Sequence, residues 1–278
     1  MALLDVEERD LTVAGSPMPY AAFGHGERSL VMIPGLSLRS VRGAGFPLAL
    51  QYRLFARDFR VYVLDKRDDL PEPCTIASLA EDVAEAMRLL GIDRADIVGI
   101  SQGGMIAQYL ALEHAELVYR LVLGVTTSRP NDAVRDAVGF WVDAAERGDW
   151  EAIIRDMMGR MYSERYAKRL GRLFPLLLKT VKLTDPARFV TLARSCLTCD
   201  TYDEIARISC PTLVLGAAED KIVTAKASEE IAERIGCPIH IYEGLGHAAY
   251  EEAPDFNKRI YDFLMQPGGC GLWSRFHS

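Results

Sequence analysis

A serine hydroxyl attacks a carbonyl at neutral pH only when a base takes its proton and an acid holds that base in place. The stretch Val98-Gly99-Ile100-Ser101-Gln102-Gly103-Gly104 contains Gly-x-Ser-x-Gly. Composition alone would produce that pentapeptide in roughly 8% of shuffled chains, so its setting has to decide. Here it follows an apolar run and opens a helical pattern. In that setting a sharp turn lifts Ser101 above a sheet, and glycines at 99 and 103 let neighbouring backbone pass without a Cβ clash. Ser101 then stands at a helix N-terminus, where free N–H groups and the dipole favour developing negative charge.

Five histidines compete for the role of base. His25 and His114 precede the acid in chain order or sit at a surface helix end, His277 lies in the tail, and His240 falls in an apolar run expected in the core. His247 remains, in Gly244-Leu-Gly-His-Ala-Ala-Tyr250, a glycine-bearing loop after the last strand-like run. For the acid, the loop after Val125 reads Thr126-Thr-Ser128 and offers no carboxylate. The next strand-like run ends in Gly216-Ala-Ala-Glu-Asp220, which makes Asp220 the candidate and Glu219 its close rival.

These residues need a scaffold that brings distant loops to one edge. Runs at Ser29–Ile33, Arg60–Asp65, Asp96–Ile100, Arg120–Val125 and Thr212–Gly216 lack a polar face, as strands covered on both sides do. Helical patterns at Ala77–Leu90 and Gly103–His114 alternate with them, the order of a parallel sheet. A hairpin around Gly15-Ser16-Pro17 precedes them. A helix at Ala225–Ile235, a short run at Ile239–Tyr242 and a helix at Pro254–Met265 close the pattern. About seventy residues interrupt it and read as helix throughout. The expected organisation is a core of residues 1–126 and 201–266, a helical cap or lid of 127–200, and a C-terminal tail of 267–278.

Between Arg155 and Lys182 the cap carries eight basic residues against two acidic ones. Either it attracts anionic substrates, which would then be accepted better at low salt, or a membrane surface, or it is a solvated helix face. Met157, Met158, Met161, Tyr162, Leu173 and Phe174 suit a malleable pocket, with Trp141 and Trp150 as further contacts; ordinary packing explains them equally well. Trp141, Met157 and Met161 are the pocket candidates carried forward.

Ser101, Asp220 and His247 at strand ends, in Gly-Ile-Ser-Gln-Gly, Gly-Ala-Ala-Glu-Asp and Gly-Leu-Gly-His, resemble the α/β-hydrolase superfamily over about residues 18 to 266. Within it the chain is similar to capped serine esterases, enol-lactonases and C–C bond hydrolases. The resemblance implies a mostly parallel eight-stranded sheet flanked by helices with an inserted cap, and a Ser-His-Asp catalytic triad passing through an acyl enzyme. It also implies an oxyanion hole from the backbone N–H groups of Leu36 and Gln102. One departure stands out: many relatives have His-Gly where this chain has Pro34-Gly35-Leu36, so a contact made by that histidine is missing. The expected substrate is a small or medium carboxylic ester. Lactone or C–C cleavage is the alternative on the same scaffold, and a receptor-like binder with little turnover is the alternative of another class. No cofactor or metal is expected.

The remaining composition sets limits. At 278 residues, 49% hydrophobic and 26% charged, the chain is long enough to bury a deep core. Its net charge of −7 argues against nucleic acid as a partner. Six scattered cysteines, an acidic N-terminus without an apolar core and the lack of any long apolar window point to a cytoplasmic protein without a membrane anchor. Cys196-Leu-Thr-Cys199 has redox or zinc spacing but no second pair nearby, so buried or surface thiols are expected. In the tail, Trp273 and Phe276 would either fray or dock, on the body or on a second copy as a homodimer.

Overall fold

The computed structural model describes residues 5–171 and 185–267. Leu173, Phe174 and the basic residues Arg172, Lys179 and Lys182, together with Cys270, Trp273, Phe276 and His277, lie outside the described residues.

Eight strands form one sheet: β1 (Glu7–Val13), β2 (Ser16–Phe23), β3 (Arg28–Ile33), β4 (Phe59–Leu64), β5 (Ala95–Ile100), β6 (Val118–Gly124), β7 (Thr212–Ala217) and β8 (Ile239–Tyr242). Their order is β1-β2-β4-β3-β5-β6-β7-β8. The β1–β2 and β2–β4 pairs are antiparallel, and every pair from β4 to β8 is parallel. This is the mostly parallel eight-stranded sheet expected from the sequence.

Alternate residues of the central strands feed two cores, because side chains of a strand point to opposite faces. Val31, Ile33, Ile97, Leu121 and Leu123 pack on one side, and Leu30, Met32, Val98, Val122 and Leu215 on the other. The first face is covered by α2 (Ile76–Leu89), α3 (Gln102–Glu113) and α8 (Ala225–Ile235), the second by α1 (Gly45–Gln51) and α10 (Phe256–Leu264). Helix α2 starts at Thr75, whose hydroxyl and backbone N–H close a capping box with Ser78. Helix α8 stops at Gly236 in the left-handed conformation.

Between β6 and β7 the described residues include α4 (Asp132–Glu146), α5 (Trp150–Met161), α6 (Glu164–Gly171) and α7 (Pro186–Ser195). Asn131, Asp149 and Asp185 cap α4, α5 and α7, each accepting a bond from an N–H of the first turn. Val134, Trp141, Ile153, Phe189 and Leu192 extend the first core into these helices.

Some local expectations shift. The hairpin turns at Ala14-Gly15, where both residues have positive φ, rather than around Gly15-Ser16-Pro17. The helix expected at Pro254–Met265 is α10, Phe256–Leu264, and a short helix not expected from the sequence, α9 (Ala249–Glu252), precedes it. His240 is not a core residue: β8 is an edge strand, Ile239 is 38% exposed, and His240 is only partly covered.

Candidate active site

Ser101 follows β5 with φ 55° and ψ −120°, a conformation that L residues avoid. Its N–H donates to the Gly124 carbonyl at 2.9 Å, and its carbonyl accepts from Thr126 Oγ1 at 2.7 Å. The turn is possible because its neighbours lack side chains. A Cβ on Gly99 would lie 2.4 Å from the Gly103 carbonyl oxygen, and one on Gly103 would lie 1.9 Å from that of Ile33. Serine normally caps a helix with its hydroxyl, yet Ser101 makes no such bond to α3. Its Oγ lies 2.9 Å from His247 Nε2 instead.

His247 Nδ1 lies 2.8 Å from Asp220 Oδ2. A carboxylate can only accept, so Nδ1 carries the proton and Nε2 is left to accept from Ser101. Asp220 Oδ1 accepts from the N–H groups of Ile222 at 2.8 Å and Val223 at 3.0 Å, which fixes the carboxylate plane. Burial alone would raise the Asp220 pKa, but the imidazole and these two N–H groups hold it below the ordinary carboxylate value. Asp220 and His247 are both buried. Its rival Glu219 is exposed.

A hollow of about 50 Å³ adjoins Ser101 and His247, and all three pocket candidates, Trp141, Met157 and Met161, line it. Gly35 and Leu36 line it as well. A Cβ on Gly35 would sit 3.1 Å from that of Ser101, so the loop after β3 passes directly over the serine. Gln102 opens α3, and its N–H has no partner within the helix. The Gln102 side chain turns away, donating to the Leu192 carbonyl at 2.7 Å and to Ser195 Oγ at 3.1 Å in α7. Trp141 Nε1 donates to Asp156 Oδ2 at 2.7 Å, which fixes the indole that borders the hollow.

Several participants carry no motif in the sequence. Met105, Val134, Val138, Cys196, Ile222, Val223 and Tyr250 complete the lining; as apolar residues at helical or loop positions they read as ordinary core. Tyr250 also borders a second hollow of about 530 Å³ on the far side of the loop that follows β3. Lys66 is 5% exposed, and its Nζ donates to the carbonyls of Pro34 at 2.6 Å and Gly35 at 3.0 Å. Burial lowers its pKa to about 8, against the opposing pull of Asp65.

The junction of α5 and α6 is fastened to the His247 loop. Ala248 N–H donates to the Met161 carbonyl at 2.7 Å. Tyr162 donates to Glu251, and Ser163 donates to Glu252 through both its N–H and its hydroxyl.

The basic residues of this segment whose side chains are described face solvent or acids rather than the hollow. Arg155 pairs with Glu151, Arg160 with Asp156 and Asp136, and Lys168 with Glu164. Cys196 and Cys199 are buried thiols, with Cys196 pushed up to about 12 by burial. Among the described residues no cluster of His, Cys, Asp or Glu could hold a metal ion, and no helix is long and apolar enough to cross a membrane.

Comparison with known proteins adds four findings. A family model described as the alpha/beta hydrolase family matches residues 30–256. The chain is 24% identical over 219 residues to 3-oxoadipate enol-lactonase 1 of Acinetobacter baylyi, covering 79% of this chain and 80% of that protein. It is 26% identical over 255 residues to the putative carbamate hydrolase RutD of Rhizobium rhizogenes, covering 85% and 92%. Among solved structures, MGS-M2, an alpha/beta hydrolase enzyme from a Medee basin deep-sea metagenome library, superposes with a TM-score of 0.82 at 21% identity, covering 94% of this chain and 98% of that one.

Proposed function

The chain belongs to the alpha/beta hydrolase family, and on that premise we propose that it is a serine hydrolase cleaving small carboxylic esters through an acyl enzyme. The observation that supports this most directly is the continuous relay from Asp220 through His247 to Ser101, at 2.8 and 2.9 Å, ending at an apolar hollow. Ser101 Oγ attacks the carbonyl carbon while His247 Nε2 takes its proton. The resulting oxyanion rests on the N–H groups of Leu36 and Gln102. The carbon–oxygen bond breaks, and the departing alkoxide takes the proton from His247. Water, deprotonated in turn by His247, frees the acid. Asp220 keeps the imidazole in the required tautomer and stabilises the imidazolium.

The helices from Asp132 to Ser195 act as a cap in this reading, with Trp141, Met157 and Met161 as its substrate-facing side chains. The small apolar hollow favours short neutral acyl groups over anionic ones, since no Asp, Glu, Lys or Arg side chain lines it and His247 is its one titratable base. The enol-lactonase relative supports a second substrate form, a cyclic ester opened by the same steps. The carbamate hydrolase relative supports a third, with nitrogen beside the carbonyl.

The test is a burst of p-nitrophenol from p-nitrophenyl acetate or butyrate, followed by a panel of esters of rising acyl length, enol-lactones and carbamates. Ser101→Ala is expected to lower turnover by at least about 10³-fold. Equal rates in wild type and Ser101→Ala would remove the hydrolase reading and leave a binding protein.

A further inference from the structure

The loop after β3, Pro34-Gly35-Leu36, that would present an oxyanion donor is held from behind by a buried side chain outside the relay. Lys66, just beyond β4, reaches under the loop and donates to two successive carbonyls, Pro34 at 2.6 Å and Gly35 at 3.0 Å. Asp65 beside it accepts from Val41 N–H at 2.9 Å, so the end of β4 holds the same loop at a third point. Lys66 is held in turn: its own carbonyl accepts from Arg188 of α7 at 2.8 Å, and its N–H donates to Asp65 Oδ1 at 2.8 Å.

The Gly35 carbonyl and the Leu36 N–H belong to one peptide unit. In a planar trans peptide these two groups point in opposite directions. An ammonium fixed on the carbonyl therefore aims the N–H away from itself, toward the hollow that Leu36 lines with Ser101. A cationic donor on the oxygen also polarises the amide, which strengthens the N–H as a donor on the other side.

We propose that Lys66 is a positioning residue for the oxyanion hole, acting through the Gly35–Leu36 peptide. The inference rests on the serine hydrolase reading above and adds to it a residue outside the relay. Lys66 does not line the hollow. The charged or titratable groups that face it are Asp65 from its own strand end, Arg188 from α7 and Cys196 just after α7. Arg188 repels the ammonium and Asp65 attracts it, while burial brings its pKa to about 8. The charge on the peptide is thus expected to fade as pH rises past that value.

Lys66→Met keeps an unbranched chain one atom shorter and removes every side-chain donor. It is expected to lower kcat on p-nitrophenyl acetate by about 10- to 100-fold, less than or equal to the loss typical of deleting an oxyanion donor, with KM within about twofold. A boronic acid, which forms a tetrahedral anion on Ser101, should weaken by a similar factor. The wild-type kcat should decline between pH 7.5 and 9.5, and that decline should be absent in Lys66→Met. Wild-type kcat and boronate affinity in a folded Lys66→Met protein would overturn the proposal. If that variant does not fold, the wild-type profile decides, and a flat kcat across the interval overturns it. Loss of Ser101-dependent turnover in the wild type itself would strike the hydrolase reading instead; boronate affinity then decides the role of Lys66, equal values in the two proteins overturning it.

Discussion

Gly103 has no room for a Cβ, because the atom would overlap the Ile33 carbonyl oxygen at 1.9 Å and that backbone belongs to the central strand β3. Gly103→Ala is therefore expected to destabilise the protein by on the order of 4 kcal/mol or more, seen as loss of soluble, cooperatively unfolding protein. Gly139 is the opposite case. It lies inside α4 with nothing within 4 Å of a built Cβ. Gly139→Ala should stabilise by about 0.5–1 kcal/mol and raise Tm by about 2 °C in a thermal melt. Residues of this first kind are what made the site legible. Ser101 and His247 stand within two residues of glycines and Asp220 is a carboxylate just past an apolar run, so spacing and turn chemistry marked them before any coordinates. Leu36 emerged only through family resemblance, since a leucine after Pro-Gly carries no chemistry of its own. Lys66 did not emerge at all: in Asp65-Lys66-Arg67-Asp68-Asp69 it reads as one charge in a solvated run, and its burial depends on β3, β4 and α7 meeting.

The elements that carry these residues are joined more tightly at the His247 loop than a freely swinging lid would be. Ser163 is buried, and both its N–H and its hydroxyl depend on Glu252. Glu252→Ala would leave two donors without partners, a cost of about 1–3 kcal/mol felt locally. Hydrogen exchange should accelerate in residues 161–166 and 246–252, and kcat should fall severalfold as His247 loses its support. Lys168→Ala removes only the exposed pair with Glu164 and should change neither measurement, because such i,i+4 pairs contribute about 0.5 kcal/mol or less. Unchanged exchange in Glu252→Ala would mean that the Met161 and Glu251 contacts suffice. Element type and order were legible because strands buried on both faces and amphipathic helices differ in period. Element ends and exposure were less so. His240 reads as core because Ile239-His-Ile-Tyr242 is apolar, but its place at the sheet edge follows from strand order, which hydrophobic period does not encode. The lining of the hollow was hidden for a similar reason. Val134, Val138 and Tyr250 are apolar whether they face a core or a substrate, and only the packing of α4 and α9 over the sheet separates the two.

Across the whole molecule the sheet has two poles with different electrostatics. Leu36, Lys66, Ser101, Asp220 and His247 all follow C-terminal strand ends, while the opposite pole gathers Arg28, Arg94, Arg120 and Asp96. Asp96 sits about 16 Å of strand away from Ser101, five residues at about 3.3 Å each. Its side chain is 1% exposed, and Oδ2 accepts from Arg28 Nη2 at 2.5 Å while Oδ1 is buried without a partner. Burial outweighs the pull of Arg28, Arg120 and Arg94, and raises the carboxyl to about 6. The folded protein therefore holds this proton between about pH 4 and 6, where the unfolded chain has already released it. Because the folded state binds more protons in that window, stability falls as pH rises through it, by on the order of 3 kcal/mol. Asp96→Asn keeps the shape and cannot titrate. Urea unfolding at pH 4, 5, 6 and 7 should show wild type losing stability relative to Asp96→Asn across that interval, with the difference constant above about pH 7. A difference that stays flat from pH 4 would mean that Arg28 keeps the carboxylate ionised throughout. Because the charge lies at the pole away from the relay, kcat of Asp96→Asn at pH 7 should match wild type, so the two poles can be altered independently.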